Sequence, residues 1–239
     1  MHQIWIIAKR ELASFFDSLI AYILLIGFLA FTGFFTWLAG NGDVFSTRQA
    51  SMGVFFQISF WTLFFFIPAL TMRMLAEEKR SGTIELLLTK AVKVRQLVMG
   101  KFLACFLLIA IALAFTLPYY VSIATLGSVD HSAVITGYLG LLLMSSAYIG
   151  IGLFASSLTT NQIVSFLLAL SIGICFHALF DMLAFSVGGP LASFFSELSL
   201  TNHFYSISRG VIDSKDLVYF ISITLLGLYF AELNISKRA

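Results

Sequence analysis

Long apolar runs separated by short polar stretches dominate the chain. About 20 predominantly apolar residues are enough to cross a bilayer as a helix. Six runs reach that length, and we expect a spanning helix in each of them: 18–39, 54–75, 97–126, 133–158, 161–183 and 216–235. The pattern therefore predicts an all-α, polytopic membrane protein in which residues 1–239 form a single transmembrane domain with six spans.

The first 17 residues, 1–17, differ from the runs that follow. Apolar side chains recur there at helical spacing and polar side chains fall on the opposite side, which is typical of a helix that lies in the membrane interface. The apolar positions are Ile4, Trp5, Ala8, Leu12, Phe15 and Phe16. The alternative interpretation is an N-terminal extension of the first span.

Two longer segments have mixed character. Residues 76–92 are dense in charge, are interrupted by Ser81, Gly82 and Thr83, and then carry a short apolar patch before the third span. Residues 184–215 open with a Gly-Gly-Pro breaker and continue with apolar residues among polar ones. This second pattern predicts one or two short interfacial helices between spans five and six, and not a seventh crossing.

The fourth run is rich in small residues. Small side chains let helix backbones approach closely inside a membrane. They are Ser145, Ser146, Ala147, Gly150 and Gly152. We expect close helix packing at this point, either within the chain or across a dimer.

Composition and charge narrow the class of protein further. Hydrophobic residues make up 59% of the chain and charged residues only 11%, against about 25% charged in a soluble domain. The net charge of +2 is too small for the basic face of a nucleic-acid-binding protein. These values exclude a soluble fold and give no reason to expect a nucleic-acid partner.

The distribution of basic residues predicts the orientation in the membrane. Cytoplasmic loops retain Lys and Arg. With the N-terminus inside, 11 of the 14 basic residues lie on the cytoplasmic side and only Arg48, Arg209 and Lys215 lie outside. Both termini are therefore expected to face the cytoplasm.

Enzyme motifs are absent from the sequence. It has no G-x-x-x-x-G-K-[ST] phosphate loop, no H-E-x-x-H zinc pair and no G-x-S-x-G nucleophile elbow. We therefore predict no catalytic residues, no metal site and no cofactor of its own, and we interpret the chain as a protein that is not an enzyme.

The candidate polar residues inside the membrane are His177 and Asp181. They lie four positions apart, hence on one face of span five, and could form a proton-linked pair or half of a metal site. Asp181 also lies about 30 Å along the helix from Asn161, at about 1.5 Å per residue, which favours an ordinary interfacial pair. An intramembrane metal enzyme is the lesser functional alternative that this pair supports.

The segment from Met74 to Lys101 offers a second kind of chemistry. A compact element that projects from the membrane, with an apolar patch and flanking charges, is suited to docking in the groove of another protein. A solvated hairpin whose basic residues only anchor the topology is the alternative.

Four stretches together carry a resemblance to a known family. AEEKRSGTIELLLT begins at Ala76, GKFLA at Gly100, FTLPYY at Phe115 and SRGVID at Ser208. The chain resembles the permease subunit of type-2 ABC transporters, and within that family it is most similar to the gliding-motility and nitrous-oxide-reductase-maturation permeases. It departs from them at Ala91, where relatives tend to have Pro.

The resemblance implies an exporter-like half-transporter in the bacterial cytoplasmic membrane. Such a subunit pairs with a second, identical or different, permease chain and works with a separate ABC ATPase that binds ATP and magnesium. The 184–215 segment would supply a small extracytoplasmic helical gate. A subunit that passes ATPase motion to a periplasmic partner without transport is the alternative, and a substrate-binding partner is compatible with either role.

The resemblance also implies which residues contact the ATPase. The principal coupling helix would lie in 76–92, and its contact residues would be Glu77, Glu78, Lys79, Arg80, Ser81, Gly82, Thr83, Ile84, Glu85 and Leu86. We expect a second contact at the tight turn between spans four and five, formed by Thr159, Thr160 and Asn161.

Overall fold

The computed structural model describes residues 2–38, 44, 49–83 and 93–237, which form helices and no strand. The helices of the first part of the chain are α1 (His2–Asp17), α2 (Leu19–Trp37), α3 (Gly53–Thr71), α4 (Ala76–Arg80), α5 (Val94–Ala114), α6 (Leu117–Leu126) and α7 (His131–Leu158). The second part contains α8 (Gln162–Ile174), a π-helical turn (Cys175–Leu179), α9 (Phe180–Ser186), α10 (Pro190–Leu198), α11 (Leu200–Ser208) and α12 (Ser214–Ser236).

Six helical stretches of the described residues are long and apolar enough to cross a bilayer. They are Leu19–Trp37, Gly53–Arg80, Val94–Leu126, His131–Leu158, Gln162–Ser186 and Ser214–Ser236. Each coincides with one predicted run, so the predicted all-α, six-span fold is confirmed. The largest difference is in the second span, which was predicted to end at residue 75 and instead continues through α4 to Arg80.

Helix α1 is a separate element, as the amphipathic pattern predicts. It ends at Asp17, and Ser18 is extended before α2 begins. Its buried residues are Ile7, Ala8 and Phe15, and it packs along α5. The contact is close because α5 carries Gly100, where an added Cβ would lie 2.6 Å from the side chain of Ile7.

Helix α7 lies at the centre of the fold and contacts α3, α5, α8, α11 and α12. The predicted close packing occurs here, and its partner is α12 of the same chain. A Cβ added to Gly227 of α12 would lie only 2.5 Å from the backbone carbonyl carbon of Gly150. Beside this contact, the hydroxyls of Ser146 and Thr224 lie 3.0 Å apart.

Polar residues outside the spans determine where the helices begin. The Asp130 carboxylate accepts hydrogen bonds from the backbone N–H groups of Ser132 and Ala133 and thereby caps α7. The Asn161 side chain caps α8 in the same way through the Ile163 N–H. A tight turn is enough to connect the two spans because α8 starts at once.

The predicted short helices between spans five and six are present as α10 and α11. Gly189 has φ +73°, a left-handed conformation that glycine adopts readily, and Pro190 then opens α10. Helix α11 packs against α7 and α12, and α10 packs against α9. We call α10 and α11 together the hairpin.

The alternation of the six spans gives the domain two polar faces. Helix α4, the turn at residues 159–161 and the end of α12 lie on one, which we call the α4 face. The hairpin and the first residues of α7 and α12 lie on the other, which we call the hairpin face.

Candidate functional site

A buried serine on the α4 face connects two spans. The second span breaks between α3 and α4, which leaves backbone groups without helical partners. The Ser156 hydroxyl, fully buried at the end of α7, accepts hydrogen bonds from the Leu75 and Ala76 N–H groups at 3.1 and 3.0 Å. It also donates to the Met72 carbonyl at 3.0 Å. One side chain of α7 therefore provides hydrogen-bond partners for the backbone groups at the break between α3 and α4. We call this break the joint.

The neighbouring residue, Ser157, links α4 to the last span. The Lys79 ammonium donates to the Ser157 carbonyl. The Asn234 amide of α12 donates to the same carbonyl and to the Ser157 hydroxyl, the latter at 3.2 Å. Movement of α4 would thus reach α7 and α12 through these bonds.

A buried lysine connects α4 to α5 and α1. The Lys101 ammonium lies 2.7 Å from the Glu78 carboxylate and 3.5 Å from that of Glu11, and only 1% of the Lys101 side chain is exposed. Arg10 in turn lies 2.6 Å from Glu11, on the surface side. A buried ammonium is expensive unless it is paired, so this arrangement fixes the positions of the three helices relative to one another.

The ion-pair network has an electrostatic signature at Glu11, which lies outside the spans. Burial raises the pKa of the Glu11 carboxyl, but the Lys101 ammonium and the Arg10 guanidinium lower the pKa by more. The pKa therefore lies below its ordinary value of 4.5. Glu11 contributes to the stability of the fold while it is ionised.

The network borders a polar groove between α1 and α4. The groove has a volume of about 360 Å³. It is lined by Glu11, Ser14, Phe15, Ser18, Arg73, Met74, Glu77, Glu78, Ser81, Thr83 and Lys101. The groove is a concave surface that carries both signs of charge.

The predicted coupling residues divide into two groups in the structure. Glu78 and Lys79 face inward and bind Lys101 and Ser157. The surface of the element is formed by the others that the structure describes: Glu77, Arg80, Ser81, Gly82 and Thr83. Ile84, Glu85 and Leu86, together with the rest of 84–92, lie outside the described residues.

The end of α4 has a defined geometry. The Ser81 hydroxyl donates to the Glu77 carbonyl at 2.9 Å and lies 2.9 Å from the Thr83 hydroxyl. Gly82 has φ +70°, the left-handed conformation in which a glycine commonly ends a helix.

The second predicted contact lies beside the first. Helix α4 packs against both α7 and α8, which flank the turn. Thr160 and Asn161 are exposed, whereas Thr159 is half-buried and accepts a hydrogen bond from the Asn161 N–H at 3.1 Å. The structure therefore brings the two predicted coupling segments together on one face.

The candidate pair of His177 and Asp181 is not formed. His177 is buried, with its Nδ1 2.7 Å from the Tyr148 hydroxyl, and its ring stacks on Phe60 with centroids 4.3 Å apart. Asp181 instead lines a cavity beside the hairpin with Ser196 and Asn202. In this apolar setting a neutral hydroxyl partner avoids the desolvation cost of a buried ion pair. Among the residues that the structure describes, no three His, Cys, Asp or Glu side chains could hold a metal ion.

Sequence reasoning missed several of the residues that build these contacts. Lys101 counted only toward the orientation, although a charge inside an apolar run requires a partner, and that requirement was the available signal. Asp216 begins the last predicted run and offered the same signal. Ser156, Ser157 and Asn234 resemble the other small polar residues of the spans, so nothing in the sequence distinguishes them.

A family model described as ABC-2 family transporter protein matches residues 39–234, which is most of the chain. No curated protein matches it.

Proposed function

The chain belongs to the ABC-2 family of transporter proteins, as a membrane-spanning permease component, and from that premise we propose how it is coupled to its energy source. A separate ABC ATPase subunit docks on the α4 face and drives export of a substrate. The exposed residues of the first coupling segment, 77–83, make the main contact. The turn at residues 159–161 makes the second.

One observation carries this proposal. The two segments predicted to contact the ATPase are adjacent, and hydrogen bonds and an ion pair attach α4 directly to α7 and α5 and, through Ser157, indirectly to α12. A solvated hairpin needs no such attachments. An element that must pass force into the membrane domain does.

The attachments suggest a sequence of events. ATP binding closes a pair of ATPase subunits and displaces α4. The joint at Ser156 passes the displacement to α7, Lys101 passes it to α5, and Ser157 passes it to α12 through Asn234. At the opposite end, the Ser132 hydroxyl of α7 donates to the Gly210 carbonyl beside the hairpin at 3.0 Å. Movement of α7 and α12 would therefore shift the hairpin and open an outward path.

The setting follows from the same assignment. We propose that the protein lies in a bacterial cytoplasmic membrane with both termini and the α4 face on the cytoplasmic side, as the positive-inside count favours. It pairs with a second permease chain, and the ATPase binds ATP and magnesium. The sequence motifs support placement near the gliding-motility and nitrous-oxide-reductase-maturation permeases.

Docking can be tested with paired charge-neutral variants. Glu77 and Arg80 are exposed on α4, and Lys9 and Asp17 are exposed on α1, so each pair contributes one acidic and one basic side chain. We expect Glu77→Gln/Arg80→Gln to reduce recovery of the co-expressed ATPase with the purified permease, and Lys9→Gln/Asp17→Asn to leave it unchanged. Equal recovery with both double variants would refute docking through α4.

A further inference from the structure

A histidine at the hairpin face is held between two elements. His203, on α11, is 5% exposed, and Asp216, at the start of α12, is fully buried. The His203 Nδ1 lies 2.6 Å from the Asp216 Oδ1. The other ring nitrogen, Nε2, lies 3.0 Å from the backbone carbonyl oxygen of Glu197 in α10. One imidazole thus connects α10, α11 and α12.

The geometry determines how many protons the pair holds. A carbonyl oxygen only accepts, so His203 Nε2 must carry a proton. At 2.6 Å, a second proton must lie between Nδ1 and the Asp216 carboxyl, whichever group formally owns it. The pair therefore holds one proton more than a neutral imidazole beside an ionised carboxylate.

Removing the shared proton leaves one of the two hydrogen bonds of His203 without a proton. A neutral imidazole has one N–H, which can face Asp216 or the Glu197 carbonyl but not both. In either tautomer a nitrogen lone pair then points at an oxygen lone pair. The connection of α11 to α12 or to α10 is lost between two buried side chains, where lost hydrogen bonds are costly.

Other charged and titratable groups surround the pair. Tyr219 of α12 stacks on His203 with ring centroids 3.9 Å apart, and its hydroxyl donates to the Leu198 carbonyl at 2.6 Å. The exposed Lys215 ammonium lies 3.5 Å from the Glu197 carboxylate.

A cavity provides a route for protons. It has a volume of about 350 Å³ and reaches both members of the pair. It is lined by Ser196, Glu197, Asn202, His203, Tyr205, Ser206, Arg209, Lys215 and Asp216. Among the residues that the structure describes, none forms a hydrogen bond with the second carboxylate oxygen of Asp216, Oδ2. The pair can therefore exchange its proton with the aqueous side without crossing the apolar core.

We propose that His203 and Asp216 form a proton-binding site whose shared proton attaches the hairpin to α12. The hairpin is attached to α12 at low pH, and this attachment weakens as the pH rises. The inference does not depend on transport or on an ATPase, because the site is built from three helices of this chain alone.

Hydrogen exchange of the purified protein in detergent tests the proposal. Exchange of peptides covering 199–208 is measured across roughly pH 5 to 8. Each rate is corrected for the intrinsic pH dependence of exchange, and peptides from α7 serve as the internal reference. We expect protection of 199–208 to fall roughly tenfold or more as the pH rises, from the loss of a hydrogen bond to a charged group, with the reference unchanged.

Two variants give opposite expectations. In Asp216→Asn the amide N–H can donate to the His203 Nδ1 while Nε2–H still donates to Glu197, so protection should stay high at every pH. Asp181→Asn removes another carboxylate of the same face and should keep the wild-type pH response. Constant protection in the wild type would overturn the proposal even if a variant failed to fold, as would an unchanged pH response in Asp216→Asn.

Discussion

Lys101 and Glu78 form an ion pair 2.7 Å long at the base of the element that projects from the α4 face, with the lysine side chain almost fully buried. The pair joins α5 to α4, two helices that are otherwise separated by the stretch 84–92. Glu78 thus fixes the orientation of α4, and this leaves Glu77 and Arg80 to face outward.

Replacing Lys101 tests how much this ion pair contributes to the stability of the fold. Lys101→Met removes the ammonium and leaves the partly buried Glu78 carboxylate without its cation, while Glu11 keeps only the surface contact with Arg10. We expect a loss of about 3 kcal/mol, seen as a lower thermal midpoint in detergent. Adding Glu78→Gln to Lys101→Met should recover part of the loss, because the two sites are coupled. Purely additive effects would contradict the pairing.

The lowered pKa of Glu11 predicts how the stability of the fold depends on pH. Its pKa is lowered in the folded protein, so its contribution is present above the ordinary value of 4.5 and is lost as the pH falls through the folded-state pKa. The thermal midpoint of the wild type should therefore fall on acidification through this range. Glu11→Gln lacks that contribution and should show a shallower fall. Parallel profiles for the two proteins would rule out a role for the Glu11 charge.

We expect the loss of the Ser156 hydroxyl to lower the stability of the fold strongly. Ser156→Ala leaves the Leu75 and Ala76 N–H groups and the Met72 carbonyl without this partner in a buried site, which should cost about 3 kcal/mol. Ser145→Ala is the matched control. That hydroxyl is also buried but bonds only to Leu141 of its own helix, so its loss should cost about 1 kcal/mol or less. Similar thermal midpoints for the two variants would contradict the role of Ser156 in stabilising the joint.

Because α7 and α12 pack closely at Gly227, we expect that a methyl group added there is not tolerated. In Gly227→Ala the Cβ meets the Gly150 backbone, which cannot move aside as a side chain can. We expect a loss of about 3 kcal/mol or failure to accumulate in the membrane. Gly188→Ala, whose Cβ meets nothing within 4 Å, should change stability by less than about 0.5 kcal/mol. A stable Gly227→Ala protein would show that the two helices pack less closely.

The sequence predicts the spans well because the bilayer imposes a length and a composition on each of them. It also predicts α1 and the hairpin, whose breakers and amphipathic patterns are local. The extension of the second span to Arg80 was missed because α4 is polar, and the N–H group of Ala76 at its start finds its partner in Ser156, a residue 80 positions away.

The partners of polar residues could not be predicted in the same way. The spacing of His177 and Asp181 along one helix suggested a pair, but Tyr148, brought in by α7, is the partner that His177 finds. Lys101, His203 and Asp216 likewise find their partners on other helices. Such contacts depend on how the spans pack, which the pattern along one chain does not encode.

Site-specific photo-crosslinking tests the central claim most directly. A photoreactive amino acid is placed at Arg80, at Thr160 and, as the control on the hairpin face, at Phe194, all of which are exposed, and each protein is irradiated in membranes with its co-expressed ATPase. We predict permease–ATPase adducts from positions 80 and 160 and none from position 194. Adducts from position 194, or none from positions 80 and 160 while the ATPase still co-purifies, would contradict docking on the α4 face.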